Sequence, residues 1–271
     1  MSNSPQPAQV SPVLLETKHD GIATMVMNRP DRLNALNNEL TSALNDALGR
    51  VAEDESVRVV VITGAGRAFC AGGDLALIGK GREIGTTQSL EPLLRSGMQA
   101  VLRMRTMSQP VIVAVNGAAA GAGMNIALAA DIRIAAEEAT FGQNFARVGL
   151  FPDFGGTYFL PRLVGPAKAA ELFYTGDMID AKAALRLGIV NQVVPGVQLE
   201  AEVKVLAQKI MQGPPLAIQA VKKALFGSER EKLAEALERE VQEQVRCYLS
   251  EDCSEGIHAF FEKRAPRFRG K

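Results

Sequence analysis

Two stretches of this chain place main-chain N–H groups where another molecule can reach them. In the first, Asn116-Gly-Ala-Ala-Ala-Gly-Ala-Gly-Met-Asn125 follows the apolar run Val111-Ile-Val-Ala-Val115 and leads into Ile126-Ala-Leu-Ala-Ala130. That order reads as a buried strand, a turn of small residues and a buried helix. Glycine and alanine keep the main chain bare. The first N–H groups of a helix lack intrahelical partners and carry its positive dipole end. The second stretch, Gly66-Arg-Ala-Phe-Cys-Ala-Gly-Gly-Asp-Leu75, also follows an apolar run, Val57–Thr63. Such donors suit an anionic oxygen, of a ligand or of a reaction intermediate, and two that converge on one point form an oxyanion hole. A second reading also fits the local pattern, in which the small residues serve only tight helix–strand packing.

Nucleotide sites fit these segments less well. Gly121-Ala-Gly123 supplies a G-x-G, but Ile126 stands where a dinucleotide fingerprint needs its third glycine. Asp131 comes too early to be the ribose-binding acid, which closes the next strand. No G-x-x-x-x-G-K-[ST] occurs, which excludes a P-loop.

The elements that must carry these segments are legible in part. Val13–Thr17 and Ile22–Met27 flank Asp20-Gly21, a hairpin signal. Leu40, Ala43, Leu44, Ala47, Leu48 and Val51 recur at helical spacing over Asn38–Glu53. Leu90–Met107 reads as a helix that ends at Gln109-Pro110. Asp131–Ala135, Thr140-Phe141 and Ile189–Val194 read as strands, Pro166–Thr175 and Ala181–Leu187 as helices, and Phe151–Gly156 as turns. The stretch Gly72 to Gly85 is glycine-rich and reads as mobile. From Leu199 onward only helices are expected, broken at Gly213-Pro-Pro215 and Gly227. The division is therefore a disordered tail over 1–11, an α/β core over 12–198 and a helical region over 199–271. Leu233, Leu237, Val241, Val245 and Leu249 make a stripe that covers either a second subunit or the chain's own core.

Bulk properties narrow the function. Thirty basic and thirty acidic residues cancel, so net charge gives no electrostatic footprint for nucleic acid. No apolar run approaches the ~18 residues of a membrane span. Cys70, Cys247 and Cys253 form no C-x-x-C pair, and with no basic-then-apolar leader they fit reduced thiols in a cytoplasmic protein. His19 and His258 are far apart, so no metal site is visible.

Taken in order, Asn28-Arg-Pro-Asp-Arg-Leu-Asn-Ala-Leu36, Gly66–Leu75, Asn116–Ala130, Thr140-Phe-Gly-Gln143, Val148–Thr157, Ala181–Val193 and Phe261-Glu-Lys-Arg264 resemble the crotonase superfamily, the enoyl-CoA hydratase/isomerase family. The resemblance spans Val13 to Arg264. It implies an α/β fold, a crotonase (ClpP-like) spiral of ββα units with an all-helical C-terminal trimerisation region, and a homotrimer or a hexamer built as a dimer of trimers. The ligand it implies is an acyl-CoA thioester as substrate, with no separate cofactor and no metal. By position, the oxyanion-hole N–H groups would belong to Ala71 and Ala122. CoA contacts would fall at Arg32, Leu33, Ala35, Ala71, Gly73, Asp74 and Leu75, with Phe261 and Lys263 at the adenine end. The 79–87 loop would shape the acyl pocket.

Two departures stand out. The family's hydratases hold a water between two glutamates, and here those places carry Asn125 and Phe145. Neither can shuttle a proton near pH 7. Asp153 in Leu150-Phe-Pro-Asp-Phe-Gly-Gly156 matches the aspartate of single-acid isomerases, including those of the phenylacetate-pathway type. Phe145, Phe151 and Phe154 would give it an apolar surround that raises its pKa. An aspartate there can also simply stabilise a turn. Asn125 and Phe145 are then expected to line the pocket, with Asn125 orienting a substrate group or holding the helix N-terminus. Gln143 and Asn144 would close a turn or line the pocket, and Lys222-Lys223 would form solvated surface. The reading that follows is an enoyl-CoA isomerase. A hydratase, or another lyase or hydrolase, with a non-standard acid/base set and a catalytically weak acyl-CoA-binding subunit are the alternatives.

Overall fold

In the computed structural model, which describes residues 13–78, 88, 90–227, 251, 255, 262–264 and 267–271, the apolar runs become the strands of two sheets. Strands β1 (Leu14–His19) and β2 (Ile22–Met27) form the expected antiparallel hairpin, with His19 opposite Ile22. Asp20 and Gly21 turn the chain at φ 50° and 78°, the left-handed pair that a two-residue turn requires. Helix α1 (Asn38–Glu53) starts at Asn37, whose side-chain oxygen accepts the Leu40 N–H at 2.9 Å.

Three strand–strand–helix units follow. They are β3 (Val59–Gly64) and β4 (Ala68–Cys70) before α2 (Leu90–Thr106), β5 (Val111–Val115) and β6 (Ala118–Ala120) before α3 (Ala122–Ala129), and β7 (Ile132–Ala136) and β8 (Thr140–Gly142) before α4 (Gly156–Val164). The chain ends its described course through α5 (Pro166–Thr175), β9 (Met178–Asp180), α6 (Ala181–Arg186), β10 (Gln192–Val194), α7 (Leu199–Met211) and α8 (Pro215–Gly227). Each of the three units gives its first strand to a six-stranded sheet, β1-β2-β3-β5-β7-β10, and its second to a four-stranded sheet, β4-β6-β8-β9. All neighbours are parallel except β1–β2 and β8–β9. The repeat of that step winds the chain into the expected spiral.

The large sheet is covered on both faces, which is why its strands read as unbroken apolar runs. Val60, Ile62, Val111 and Val113 face the main core with α1 and α2. Val59, Val61, Ile112, Ala114 and Ile134 face a second core closed by Leu199, Val203 and Ala207 of α7.

Several expectations change. The 75–78 stretch is a helical turn and not part of a wholly irregular loop. β4, β6 and α4 were not expected. Each of the two strands is only three residues long, Ala68-Phe-Cys70 and Ala118-Ala-Ala120, and Pro161 inside α4 reads as a helix breaker. The N-terminal tail, the 79–87 loop, the Leu233–Leu249 stripe and Phe261 lie outside the described residues.

The lysine doublet divides. Lys223 is exposed, but Lys222 is only 6% exposed. Its ammonium donates to the Met104 and Gln109 carbonyls at 2.7 and 2.8 Å and pairs with Asp131 at 2.7 Å. Asp131 also accepts the Val111 N–H at 2.8 Å. One cation thus ties α8, the end of α2 and the start of β5 together, using all three of its donors. Lys222→Met leaves the Met104 and Gln109 carbonyls without this donor, while Asp131 keeps Arg105 at 3.3 Å, so it is expected to lower stability by about 1–3 kcal/mol in urea denaturation. A loss below about 1 kcal/mol would show that apolar contacts alone hold α8.

Candidate active site

The floor of the site is a loop clamped by buried polar groups. Leu33 and Asn34 sit at φ 51° and 56°, conformations that non-glycine residues adopt only when held. Asn34 is fully buried, and its amide donates to the Ala65 and Ala68 carbonyls while its oxygen accepts the Arg29 N–H. Arg29 reaches the Ala35 carbonyl and pairs with Asp74 at 3.0 Å. Burial alone would raise the Asp74 carboxyl, but the Arg29 hydrogen bond and charge outweigh it and hold it below its usual range.

Beside this loop the two glycine-rich segments converge. Cys70 lies opposite Ala119 where β4 pairs with β6, and both chains then leave the sheet. Gly72, at φ 95°, passes so close that a Cβ there would lie 2.8 Å from the Ala120 oxygen and 3.6 Å from the Ala122 nitrogen. Gly123 presses equally hard on Cys70, whose Cβ would be 2.8 Å from an added methyl. Only glycine allows this approach. Ala122 opens α3 behind Gly121, with no side chain capping the helix.

One expected donor is displaced. The Ala71 N–H is already bonded to the Leu33 carbonyl at 2.9 Å, so it cannot serve an oxyanion. Gly73 can. It forms a parallel bridge with Leu36, whose N–H donates to the Gly72 carbonyl at 2.7 Å and whose carbonyl accepts the Asp74 N–H at 2.9 Å. The Gly73 N–H therefore points to the opposite side, and among the described residues neither it nor the Ala122 N–H has a hydrogen-bond partner. The sequence shows a row of adjacent N–H groups, and only the bridge register tells which is free.

Asp153 stands on the loop before α4. Burial pushes its carboxyl up to about 7, opposed only weakly by its own N–H, and its Oδ1 is buried without a partner among the described residues. The Asp153 carbonyl accepts from the Asn125 amide at 2.8 Å and from the Gly156 N–H at 3.0 Å. Asn125 is fully buried on α3, and its Oδ1 accepts from Gln143 Nε2 at 2.6 Å. With both ends engaged and no exposed surface, Asn125 holds the loop and does not reach a ligand, contrary to expectation. Gln143, also fully buried, is likewise no pocket-lining or simple turn residue. Phe145 packs its ring 3.5 Å from where a Gly121 Cβ would be, and Phe154 rests on Gly97 of α2. Phe151 does not join them, being 79% exposed.

The chain as a whole has close relatives among known proteins. The sequence profile of enoyl-CoA hydratase/isomerase matches residues 17–271. The chain belongs to the enoyl-CoA hydratase/isomerase family. It is 38% identical over 265 residues to the crotonyl-CoA hydratase of Syntrophomonas wolfei, covering 96% of this chain and 98% of that one. It is 37% identical over 265 residues to the 1,2-epoxyphenylacetyl-CoA isomerase of Escherichia coli, covering 95% and 98%. The solved enoyl-CoA hydratase of Bacillus anthracis superposes with a TM-score of 0.90 at 34% identity, covering 96% of this chain and all of that one. The fold is that of the crotonase superfamily.

The remaining residues expected to touch CoA in this family divide into two groups. Arg32, Leu33 and Ala35 run alongside Ala71, Gly73 and Asp74 as one strip, joined by the Leu33–Ala71 and Leu36–Gly73 contacts. Arg32 and Leu75 are exposed there. The Asp74 carboxylate serves Arg29 and caps the 75–78 turn through the Ala76 N–H, so its side chain is structural. Lys263 is exposed at φ 54°, and no hydrogen bond among the described residues joins it to the strip. No group of three His, Cys, Asp or Glu side chains among the described residues can hold a metal, and no described helix is long and apolar enough to cross a membrane.

The sign of one substitution separates packing from propensity. In an open helix Gly→Ala stabilises by roughly 1 kcal/mol. At Gly123 the methyl meets Cys70, so Gly123→Ala is expected to destabilise by about 1–3 kcal/mol and to weaken binding of a CoA thioester. Calorimetry of the melt and of ligand titration reads both. A stabilised variant with unchanged affinity would show that the close approach is dispensable.

Proposed function

We propose that this chain is an enoyl-CoA isomerase that moves a double bond along an acyl-CoA thioester, with no cofactor beyond the substrate. Asp153 takes a proton from the carbon next to the thioester carbonyl. The electron pair moves onto the carbonyl oxygen, giving a dienolate, and Asp153 returns the proton two carbons farther along the chain. The Gly73 and Ala122 N–H groups hold the oxygen as it becomes negative, favouring the transition state over the neutral carbonyl. The observation that carries this reading is a single, mostly buried carboxyl poised near pH 7, on a loop tied to the helix that begins at Ala122. A base is most effective when its pKa lies near the working pH. Phe145 and Asn125 offer no second acid or base.

Hydration is the second reading, favoured by the hydratase names of several relatives. It needs a group to position and activate water, and none is supplied beside Asp153 among the described residues. We further propose that the chain assembles as a trimer, alone or in stacked pairs. Met98 and Leu102 on α2 and Val221 and Leu225 on α8 leave exposed apolar surface on two helices in mutual contact, which suits a second copy.

The decisive assay mixes the protein with a 3-enoyl-CoA and with a 2-enoyl-CoA and follows migration and water addition separately. Migration is expected to dominate and Asp153→Asn to abolish it, by about 10²-fold or more. Robust hydration that survives Asp153→Asn contradicts the reading. Because the base acts as its carboxylate, kcat/KM is expected to rise with pH up to about 7 and then level.

The same shift carries a stability signature. A carboxyl whose folded pKa is raised favours the fold at low pH and loses that contribution as pH rises through 4 to 7. Asp153→Asn is therefore expected to raise stability at pH 8 by on the order of 1–2 kcal/mol, allowing for solvent screening. Equal melting temperatures at pH 5 and pH 8, each relative to wild type, would refute it.

A further inference from the structure

We infer that Gln143 is a positioning residue for proton transfer, acting through Asn125 to fix the main chain of Asp153. This inference rests on the isomerase reading and adds residues that touch no reacting atom. Gln143 and Asn125 are both fully buried, where an amide is tolerated only if it is hydrogen-bonded. Their bonds run in one direction, from Gln143 Nε2 to Asn125 Oδ1 at 2.6 Å and from Asn125 Nδ2 to the Asp153 main-chain carbonyl at 2.8 Å. Gln143 Oε1 is buried without a partner among the described residues. The bond to Asn125 is thus the one polar contact seen for that amide.

The relay links the base to the oxyanion site mechanically. Asn125 lies three residues beyond Ala122 on α3, so the two share a helix face. One rigid turn therefore presents an oxyanion donor and anchors the loop that carries the base. The anchor opposes a strained segment. Phe154, next to Asp153, is held at φ 48°, and its ring presses on Gly97. A non-glycine residue keeps that conformation only when its surroundings impose it. Asn125 is also clamped from the far side, because a Cβ on Gly156 would collide with its carboxamide. The relay is neutral throughout, so it orients Asp153 without adding a charge that would alter its protonation.

The test is a double-mutant cycle on the full chain, with kcat and KM for double-bond migration measured separately. Gln143→Met and Asn125→Leu are each expected to lower kcat by about 10–100-fold, the scale of a small misplacement of a reacting group, with KM little changed. The double variant is expected to be no slower than Asn125→Leu alone, since Gln143 acts through it. Gly156→Ala removes no hydrogen-bonding group but displaces the Asn125 carboxamide, and it is expected to lower kcat in the same way, even if a core variant fails to fold. Wild-type kcat in folded Gln143→Met or Gly156→Ala, losses that multiply in the double variant, or a change confined to KM would each overturn the inference. Asp153→Asn separates this outcome from the parent reading. If it is inactive while Gln143→Met is fully active, only the relay fails, whereas an active Asp153→Asn removes the isomerase reading itself.

Discussion

The chemistry available to this molecule depends on two chain segments lying closer together than any side chain permits. Gly72 against Ala120 and Ala122, and Gly123 against Cys70, set that separation. The cost of crowding two backbones is met by the pairing of β4 with β6 behind them and by the clamp of buried Asn34 with half-buried Arg29 and Asp74 in front. Main-chain donors held in this way need no reorganisation when charge develops on a bound oxygen, which is why preorganised amides stabilise it better than water does. Their identity follows from bridge register. Leu36 binds Gly72 and Asp74, so Gly73 between them is turned outward.

A second constraint is electrostatic. Among the described residues, those that fix the Asp153 loop are uncharged amides, glycines and aromatic rings. A carboxyl buried among such groups gains no counter-charge, and burial alone lifts its pKa toward neutrality. Among the described residues, that surround brings no second acid or base to Asp153, which favours the proposed relocation of a proton over the addition of water.

The sequence made the scaffold readable where periodicity is strong. Asn38–Glu53 and Pro166–Thr175 are helices at the expected residues, and the Asp20-Gly21 hairpin pairs as its turn signal requires. It was less readable where elements are short or contain a residue that usually breaks them, as in β4, β6 and α4. Asp153 stood out by its place in the family pattern, and the phenylalanines around it signalled a raised pKa, which burial produces, although Phe151 is exposed and does not contribute. Lys222 shows the same limit, since a lysine doublet reads as surface until three carbonyl and carboxylate oxygens are seen around one ammonium. Gln143 and Asn125 are eighteen residues apart in sequence, and nothing in the chain signals that they meet.

Two main-chain amides that polarise a bound thioester carbonyl would leave a mark that the carbonyl itself reports. Isotope-edited infrared difference spectroscopy of an acyl-CoA labelled with carbon-13 at the thioester reads its stretching frequency in the site. The bound frequency is expected to lie below that in water, in wild type and in Asp153→Asn, and to return toward it in Gly123→Ala. A frequency equal to that in water, in protein saturated with ligand, would contradict it.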